Sequence, residues 1–356
     1  MRVGIIGYGL AGRVFHGRLL ARTEGAEVVA VVTRDPERRA AAERDLPGVT
    51  CYDTVPEMVS AAGLDLAVVA SVPSAHPGDA LECLSAGVAT VVDKPLAVDA
   101  GTAAGIVAGA DGTPLTVFQN RRWDADQLTL RRLREHDRLG RILRYESRFE
   151  RWRPLVDPTR WRDVTGPAEG GGALLDLGSH LVDQALSLFG PVLTVYGEVE
   201  TRRANRHPDV LGQPGEGEAG DGEIGDDDAF IALEHADGTR SQLWCSAIAA
   251  APGPRLRVLG SGAGYVVDEV DGQEEALRAG LPASEAKPRQ GWLVRGAERD
   301  SVDPVPGRWD AFYPAVLAAL RDGGPMPVDP MDAVRALEII DAARRSAKNR
   351  EVVRVG

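Results

Sequence analysis

Val3-Gly4-Ile5-Ile6-Gly7-Tyr8-Gly9-Leu10-Ala11-Gly12 opens the chain and decides the first half of the fold. A β-branched run ends in three glycines spaced G-x-G-x-x-G, and a helical stretch follows. In that context the loop reads as a dinucleotide cradle. Gly7 permits the tight turn, Gly9 lets a pyrophosphate approach the backbone, and Gly12 lets the helix pack on the sheet. The helix N-terminus adds free N–H groups and a positive dipole end. A glycine-rich turn with no ligand is the plainer alternative.

Outward from this loop, Glu27–Val32, Leu66–Ala70, Val88–Val92 and Leu115–Phe118 alternate with Ala- and Arg-rich helical stretches. Such alternation implies βαβ units and a parallel sheet buried on both faces. The expected fold class is therefore α/β, beginning with a doubly wound Rossmann domain over residues 1–119. The pattern then changes. Arg141 to Trp152 sets Leu143, Tyr145, Ser147 and Phe149 against Arg144, Glu146, Arg148 and Glu150, as in a half-exposed antiparallel strand. A helix is expected from Ala173 to Phe189, stopped by Gly190-Pro191. Strand-like runs follow at Val192–Val199, Ala229–Glu234, Arg240–Ala247, Leu256–Gly260 and Tyr265–Val267. Residues 120–356 thus read as an α+β domain with a mostly antiparallel open sheet for substrate binding and oligomerisation. Gly212 to Asp228, acidic and glycine-rich, reads as a surface loop, and Asp329 to Lys348 as a packing helix.

Bulk properties narrow the partners. A chain of 356 residues exceeds one average core. Its net charge of −12 disfavours nucleic acid or an anionic membrane. Cys51, Cys83 and Cys245 are dispersed, as in a reducing compartment. No apolar run reaches the roughly 20 residues that span a bilayer. Met1 to Leu10 is too short and glycine-broken for a signal peptide. A cytoplasmic protein is expected.

The second strand run ends in Thr33-Arg34, where an NAD binder usually carries an acidic residue for the ribose. A hydroxyl and a guanidinium suit a 2′-phosphate instead. Asp35-Pro36-Glu37 reads as an N-cap followed by proline at the first helical position. NADP is the expected cofactor, with NAD the alternative. Asp93-Lys94-Pro95 ends a later strand at the crevice side, where the lysine can hydrogen-bond a reacting oxygen. Gly170-Gly171-Gly172 precedes Asp176, His180 and Asp183, whose spacing puts all three on one face of a helix. The glycines allow close approach of backbone to a ligand. A zinc site on His180 lacks a paired His-x-x-x-His or Cys-x-x-Cys, so no metal is expected.

In this order the three segments resemble the glucose-fructose oxidoreductase / inositol dehydrogenase / rhizopine-catabolism (Gfo/Idh/MocA) family of pyridine-nucleotide oxidoreductases. The resemblance runs almost end to end. It implies reversible hydride transfer between a nicotinamide and a ring hydroxyl or ketone of an inositol or sugar, bound between two domains. It makes Lys94, Asp176 and His180 the catalytic set, with His180 the general acid/base. Asp176 and Asp183 hold substrate hydroxyls. It puts Gly7, Tyr8, Gly9, Leu10, Ala11, Gly12, Thr33, Arg34, Ser71, Pro73, His76, Asp93, Lys94 and Gln119 at the cofactor. Relatives carry Glu before the lysine, and this chain the shorter Asp93.

Several stretches look like a narrower subgroup, the NADP-dependent scyllo-inositol dehydrogenases. They include Tyr8 to His16, Phe118 to Asp124, Arg151-Trp152-Arg153-Pro154, Arg160-Trp161-Arg162, Gly253-Pro254-Arg255 and Asp271 to Gly280. Trp152 is a further substrate candidate, although cation–π packing would also explain the Arg-Trp pairs. By analogy the second-domain sheet pairs with another copy, giving a homodimer or homotetramer. Two other readings stay open: a non-catalytic sensor on the same fold, and a redox-cycling sugar hydrolase that retains its nucleotide.

Overall fold

The computed structural model describes residues 1–157, 159–203 and 224–355. Strands β1 (Arg2–Ile6), β2 (Glu27–Val32), β3 (Thr50–Tyr52), β4 (Leu66–Val69), β5 (Ala89–Asp93) and β6 (Leu115–Phe118) form a sheet in the order β3-β2-β1-β4-β5-β6. Every pairing in it is parallel. Val3, Ile5, Leu66, Val68 and Val91 are fully buried, as strands covered on both faces require. The strand order reverses beside β1, where a doubly wound sheet opens its ligand crevice. β3 was not among the expected runs, because three residues at a sheet edge leave no readable period.

The chain divides into two compact units that interleave along the sequence. The first comprises Met1–Ala125, Asp271–Pro288 and Pro306–Arg335; the second comprises Asp126–Val270, Arg289–Val305 and Ala336–Gly356. A single linear boundary does not express the return of the two later segments to the first unit. Aromatic packing accounts for that return. Phe312 and Tyr313, on the helix Phe312–Asp322, pack on Phe118 at the end of β6, with the two phenylalanine rings 4.9 Å apart. Trp309 is buried and donates its indole N–H to Asp124 Oδ1 at 2.8 Å. Asp271 ties its own segment down, accepting from Ala125 N at 2.7 Å and from Gln273 N at 2.8 Å.

Among the described residues the second unit carries nine strands: β7 (Ile142–Glu150), β8 (Val192–Glu200), β9 (Asp228–His235), β10 (Arg240–Ser246), β11 (Leu256–Gly260), β12 (Gly264–Val267), β13 (Gly291–Arg295), β14 (Glu298–Val302) and β15 (Val353–Arg354). Their order is β14-β13-β12-β11-β7-β10-β9-β8-β15, and only the β7–β10 pair is parallel. The mostly antiparallel α+β expectation holds. β7 itself differs from the half-exposed strand read from its alternation. It lies in mid-sheet, and Glu146 is buried between Arg148 at 3.0 Å and Arg257 at 2.8 Å. Charge pairing across strands, which alternation does not encode, covers that face. The 212–228 stretch read as a surface loop lies outside the described residues as far as position 223, and β9 begins at Asp228.

Helices pack on the buried face. The segment read as one helix from Ala173 is a π-helical turn, Leu174–Gly178, continued by an α-helix, Ser179–Phe189. The last helix, Pro330–Asn349, buries Leu337, Ile340 and Ala343. It meets β8 at Gly197, where an added Cβ would stand 2.5 Å from Ala343 O. Gly197 N also donates to Ser346 Oγ at 2.9 Å. Among the described residues no helix is long and apolar enough to cross a membrane. Gly197→Ala forces a backbone separation that no rotamer change relieves, so it should cost about 2–3 kcal/mol, read as a lowered urea midpoint.

Candidate active site

The first unit carries a glycine loop with three distinct surroundings. Gly7 has φ +86°, and an added Cβ would meet Ala70 O at 2.7 Å. At Gly12 a Cβ would stand 1.9 Å from Gly7 O, so the loop closes on the helix only with glycine there. Gly9 is different: its nearest neighbour is Arg38 Nη1, 3.9 Å from the Cβ position. Its backbone is therefore open to a ligand. Leu10 caps the helix without a side-chain hydrogen bond, and Ala11 opens a π-helical turn that runs to Gly17. Tyr8 is buried beneath, its phenol pushed up to about 12 by burial and the nearby Asp45.

Beyond β2, Thr33 is buried and Arg34 exposed. Asp35 is the N-cap of Pro36–Asp45, accepting from Glu37 N at 2.9 Å and Arg38 N at 3.1 Å. Its carboxylate is thus occupied by its own helix. Sequence reasoning missed Arg38, which the cap turns toward Gly9; its signal was its position in the first turn after the cap.

At the carboxyl end of β5 lies a buried charged cluster. Asp93 faces His16 Nε2 at 3.6 Å, an electrostatic contact and too long for a hydrogen bond. His16 is fully buried, and its Nδ1 lies 2.5 Å from the Tyr313 hydroxyl. Burial and the Asp93 charge push the Tyr313 phenol well above its ordinary range, so it stays a donor. With Tyr313 donating to Nδ1, the ring proton sits on Nε2 and points at Asp93. Burial alone would raise the Asp93 carboxyl, but His16, Lys94 and His76 together hold it below the usual carboxylate value. The Lys94–Pro95 peptide is cis, and Lys94 is half-buried.

His76 braces the same corner. Its Nδ1 lies 2.8 Å from Pro95 O and its Nε2 3.1 Å from Ser71 O, while burial lowers its basicity. The neutral ring has a single N–H, so it donates to one of these two carbonyls, and the helix cap falls on Ala75. Ser71 Oγ donates to Asp79 at 2.6 Å, and Pro73 is buried in the same loop. Gln119, at the end of β6, is 2% exposed, and its Oε1 has no hydrogen-bond partner among the described residues. An orphaned buried carbonyl calls for an external donor. A carboxamide N–H of a nicotinamide fits that need, and the open backbone at Gly9 fits a pyrophosphate.

In the second unit Gly171 and Gly172 serve the chain itself. A Cβ on Gly171 would stand 1.9 Å from Thr165 O, and one on Gly172 would stand 2.3 Å from Asp226 Oδ1. Their close approach is to protein, where the sequence suggested a ligand. The π-helical turn then carries Asp176, and the three polar residues differ in setting. Asp176 is half-buried and pairs with Arg162 Nε at 3.3 Å. His180 and Asp183 are buried, the imidazole 6.2 Å edge-on from Phe149. A π-turn of this kind is frequent at functional sites. Trp152 is 47% exposed.

Most of the other subgroup stretches resolve into internal ties. Arg255 is buried over Phe149 and donates to Gln184 Oε1 at 3.1 Å, and Arg121 pairs with Asp124 at 3.2 Å and Glu274 at 3.1 Å. Among the described residues no group of three or more His, Cys, Asp or Glu is placed to hold a metal ion.

The fold and these segments define a nicotinamide-nucleotide oxidoreductase. Residues 1–120 match the NAD-binding Rossmann fold of the Gfo/Idh/MocA oxidoreductase family, and residues 131–355 match its C-terminal alpha/beta domain. The chain belongs to that family. It is 35% identical to the uncharacterized oxidoreductase YdgJ of Escherichia coli (strain K12), over 98% of this chain and 97% of that one. It is 30% identical to scyllo-inositol 2-dehydrogenase (NADP(+)) IolW of Bacillus subtilis (strain 168), over 99% and 95%. Among solved structures, the putative oxidoreductase yvaA from Bacillus subtilis superposes with a TM-score of 0.85 at 28% identity, over 100% of this chain and 98% of that one.

Asp226 gives a check on the local electrostatics. Burial pushes its carboxyl up to about 6. A raised folded value means stability gained as pH falls and lost as pH rises through about 6. Asp226→Asn keeps an acceptor for Leu174 N, which donates to Asp226 at 2.6 Å. Denaturant titration should therefore show wild type losing on the order of 2 kcal/mol relative to the variant between pH 4 and 7. A pH-independent difference would contradict the assignment.

Proposed function

We propose that the protein is an NADP-linked dehydrogenase that interconverts a ring hydroxyl and a ketone on an inositol or sugar. The observation that carries this reading is the half-buried Lys94 beside a buried, ionised Asp93, on a sheet whose glycine loop keeps its backbone open. The loop from Gly7 through Tyr8, Leu10 and Ala11 to Gly12 would hold the pyrophosphate, and Gln119 the nicotinamide carboxamide. The loop Ser71, Pro73 and His76 would support the cofactor side, His76 through the two carbonyls it braces. Thr33 and Arg34 would hold the 2′-phosphate, with Arg38 added from the geometry.

The nicotinamide, when bound, supplies or accepts the hydride. In the oxidative direction His180 takes the hydroxyl proton as general base. Lys94 donates to the same oxygen and stabilises its developing negative charge. Asp176 and Asp183 accept from neighbouring hydroxyls and fix the ring, so that positioning and electrostatics do the work. Lys94→Ala and His180→Ala should each lower kcat by about 100-fold or more, while the NADPH Kd changes only a few-fold. Turnover surviving both changes would sink the assignment.

The chemistry of the nucleotide corner favours NADP. Asp35 caps its helix through Oδ1 while its Oδ2 lies 3.5 Å from Arg38 Nε, which leaves the exposed Arg34 and the outer nitrogens of Arg38 for a phosphate. IolW, at 30% identity, is by its name NADP-linked. In a fluorescence titration NADPH should bind tighter than NADH. Arg34→Ala and Arg38→Ala should each weaken NADPH by about tenfold or more, since a charged hydrogen bond contributes roughly 1.5–3 kcal/mol. Equal binding of the two nucleotides would overturn this.

We assign the protein to the cytoplasm. A homodimer or homotetramer fits the half-exposed face of the second sheet, where Tyr196, Phe230 and Trp244 form a cross-strand aromatic row.

A further inference from the structure

The crevice end of the first sheet carries one carboxylate and one ammonium side by side. β4 ends at Val69 and runs into Ala70-Ser71, β5 ends at Asp93 and runs into Lys94-Pro95, and β6 ends at Phe118 and runs into Gln119-Asn120. Among these residues only Asp93 and Lys94 are charged. Asp93 lies opposite Phe118 in the parallel register of β5 and β6. One residue further on is Gln119, whose buried Oε1 has no hydrogen-bond partner among the described residues.

Burial works against the charge of Asp93, yet His16, Lys94 and His76 hold the carboxyl below the usual carboxylate value. Neighbouring carboxylates are engaged elsewhere. Asp79 accepts from Ser71 Oγ at 2.6 Å, and Asp124 pairs with Arg121 at 3.2 Å. Asp93 is thus a preformed anion at the strand ends assigned above to the nicotinamide. The oxidised nicotinamide ring carries a positive charge that the reduced ring lacks. A fixed anion in a site of low dielectric attracts the first form far more than the second. Lys94 has the opposite charge and is assigned to the reacting oxygen, which is negative while the ring is positive. When hydride passes from carbon to ring, the C–H electron pair neutralises the ring and an oxygen pair becomes the carbonyl π bond. Both charges then vanish together.

Resting on the dehydrogenase reading above, we propose that Asp93 selects the redox form of the cofactor, its carboxylate favouring the cationic, oxidised nicotinamide over the neutral, reduced one. With Lys94 on the oxygen, the adjacent pair of opposite charges matches the state before hydride leaves the carbon. Relative to water, the bound nicotinamide becomes a stronger hydride donor, and the bound equilibrium leans toward the hydroxyl. His16, packed between the Phe118 and Tyr313 rings, is the positioning residue that holds this anion from below the strand end.

Calorimetric titration of the full-length protein at neutral pH with NADP⁺ and, separately, NADPH tests this without turnover. The unaltered protein should bind NADP⁺ at least as tightly as NADPH. Asp93→Asn should move the preference toward NADPH by about tenfold or more, chiefly by weakening NADP⁺. Asp93→Glu keeps the charge and should keep the preference within about threefold of the unaltered value. Should Asn at this buried position unfold the chain, the unaltered protein and Asp93→Glu still decide. NADPH as the tighter ligand of the unaltered protein, a preference unmoved by Asp93→Asn, or one lost equally in Asp93→Glu would each overturn the proposal. In those cases both nucleotides still bind, and the dehydrogenase reading stands. Binding of neither nucleotide removes that reading and this one together.

Discussion

The structure of the first unit depends on one buried carboxylate. Asp93 ends β5 at 8% exposure and survives as an ion because cationic and donor groups surround it. Each belongs to a different part of the chain: His16 to the helix after the glycine loop, His76 to the helix after β4, and Lys94 to the next peptide. Tyr313 meets Nδ1 of His16 from a segment near the far end of the sequence. A buried charge left unpaired would cost several kcal/mol, so these elements are held to one another by the need to solvate it. The Asp93 side chain reaches back toward His16, and the adjacent Lys94 is set at the strand end.

Glycine does related work in the second unit. At Gly171 and Gly225 backbone stands where a side chain would otherwise be, at Gly172 the Asp226 carboxylate does, and residues 225–226 cross directly against the start of the π-turn. Leu174 N then finds Asp226 as its acceptor. The turn that carries Asp176 is therefore set by backbone packing, while Arg162 pairs with the Asp176 carboxylate.

Much of this was legible in the sequence, for physical reasons. Five of the six parallel strands announced themselves as β-branched runs, because burial on both faces leaves no polar positions to blur them. The glycine loop was readable because each glycine answers a separate steric demand. Asp35 was readable as a cap because proline follows it. The rest depended on three-dimensional neighbours. β14, exposed at four of its five positions, does not look like a strand, and β13 is a run of only five residues beside it. Nothing in Phe312 or Tyr313 says that their aromatic faces dock on Phe118. The glycines at 170–172 gave the correct inference of close approach and the wrong object of it. Trp152 drew attention as an aromatic, although it stays 47% exposed. His16 passed as part of a motif, and only its distance to Asp93 reveals its task.

The most direct test of the account is the titration of the Asp93 carboxyl by carbon-13 NMR, in protein labelled at aspartate and assigned with Asp93→Asn. The account predicts that Asp93 stays ionised to a pH below the ordinary aspartate value of about 3.9, and that Tyr313→Phe moves its midpoint upward. A midpoint at or above the ordinary value in the unaltered protein would contradict it, because the carboxylate would then not be the charge around which the site is assembled.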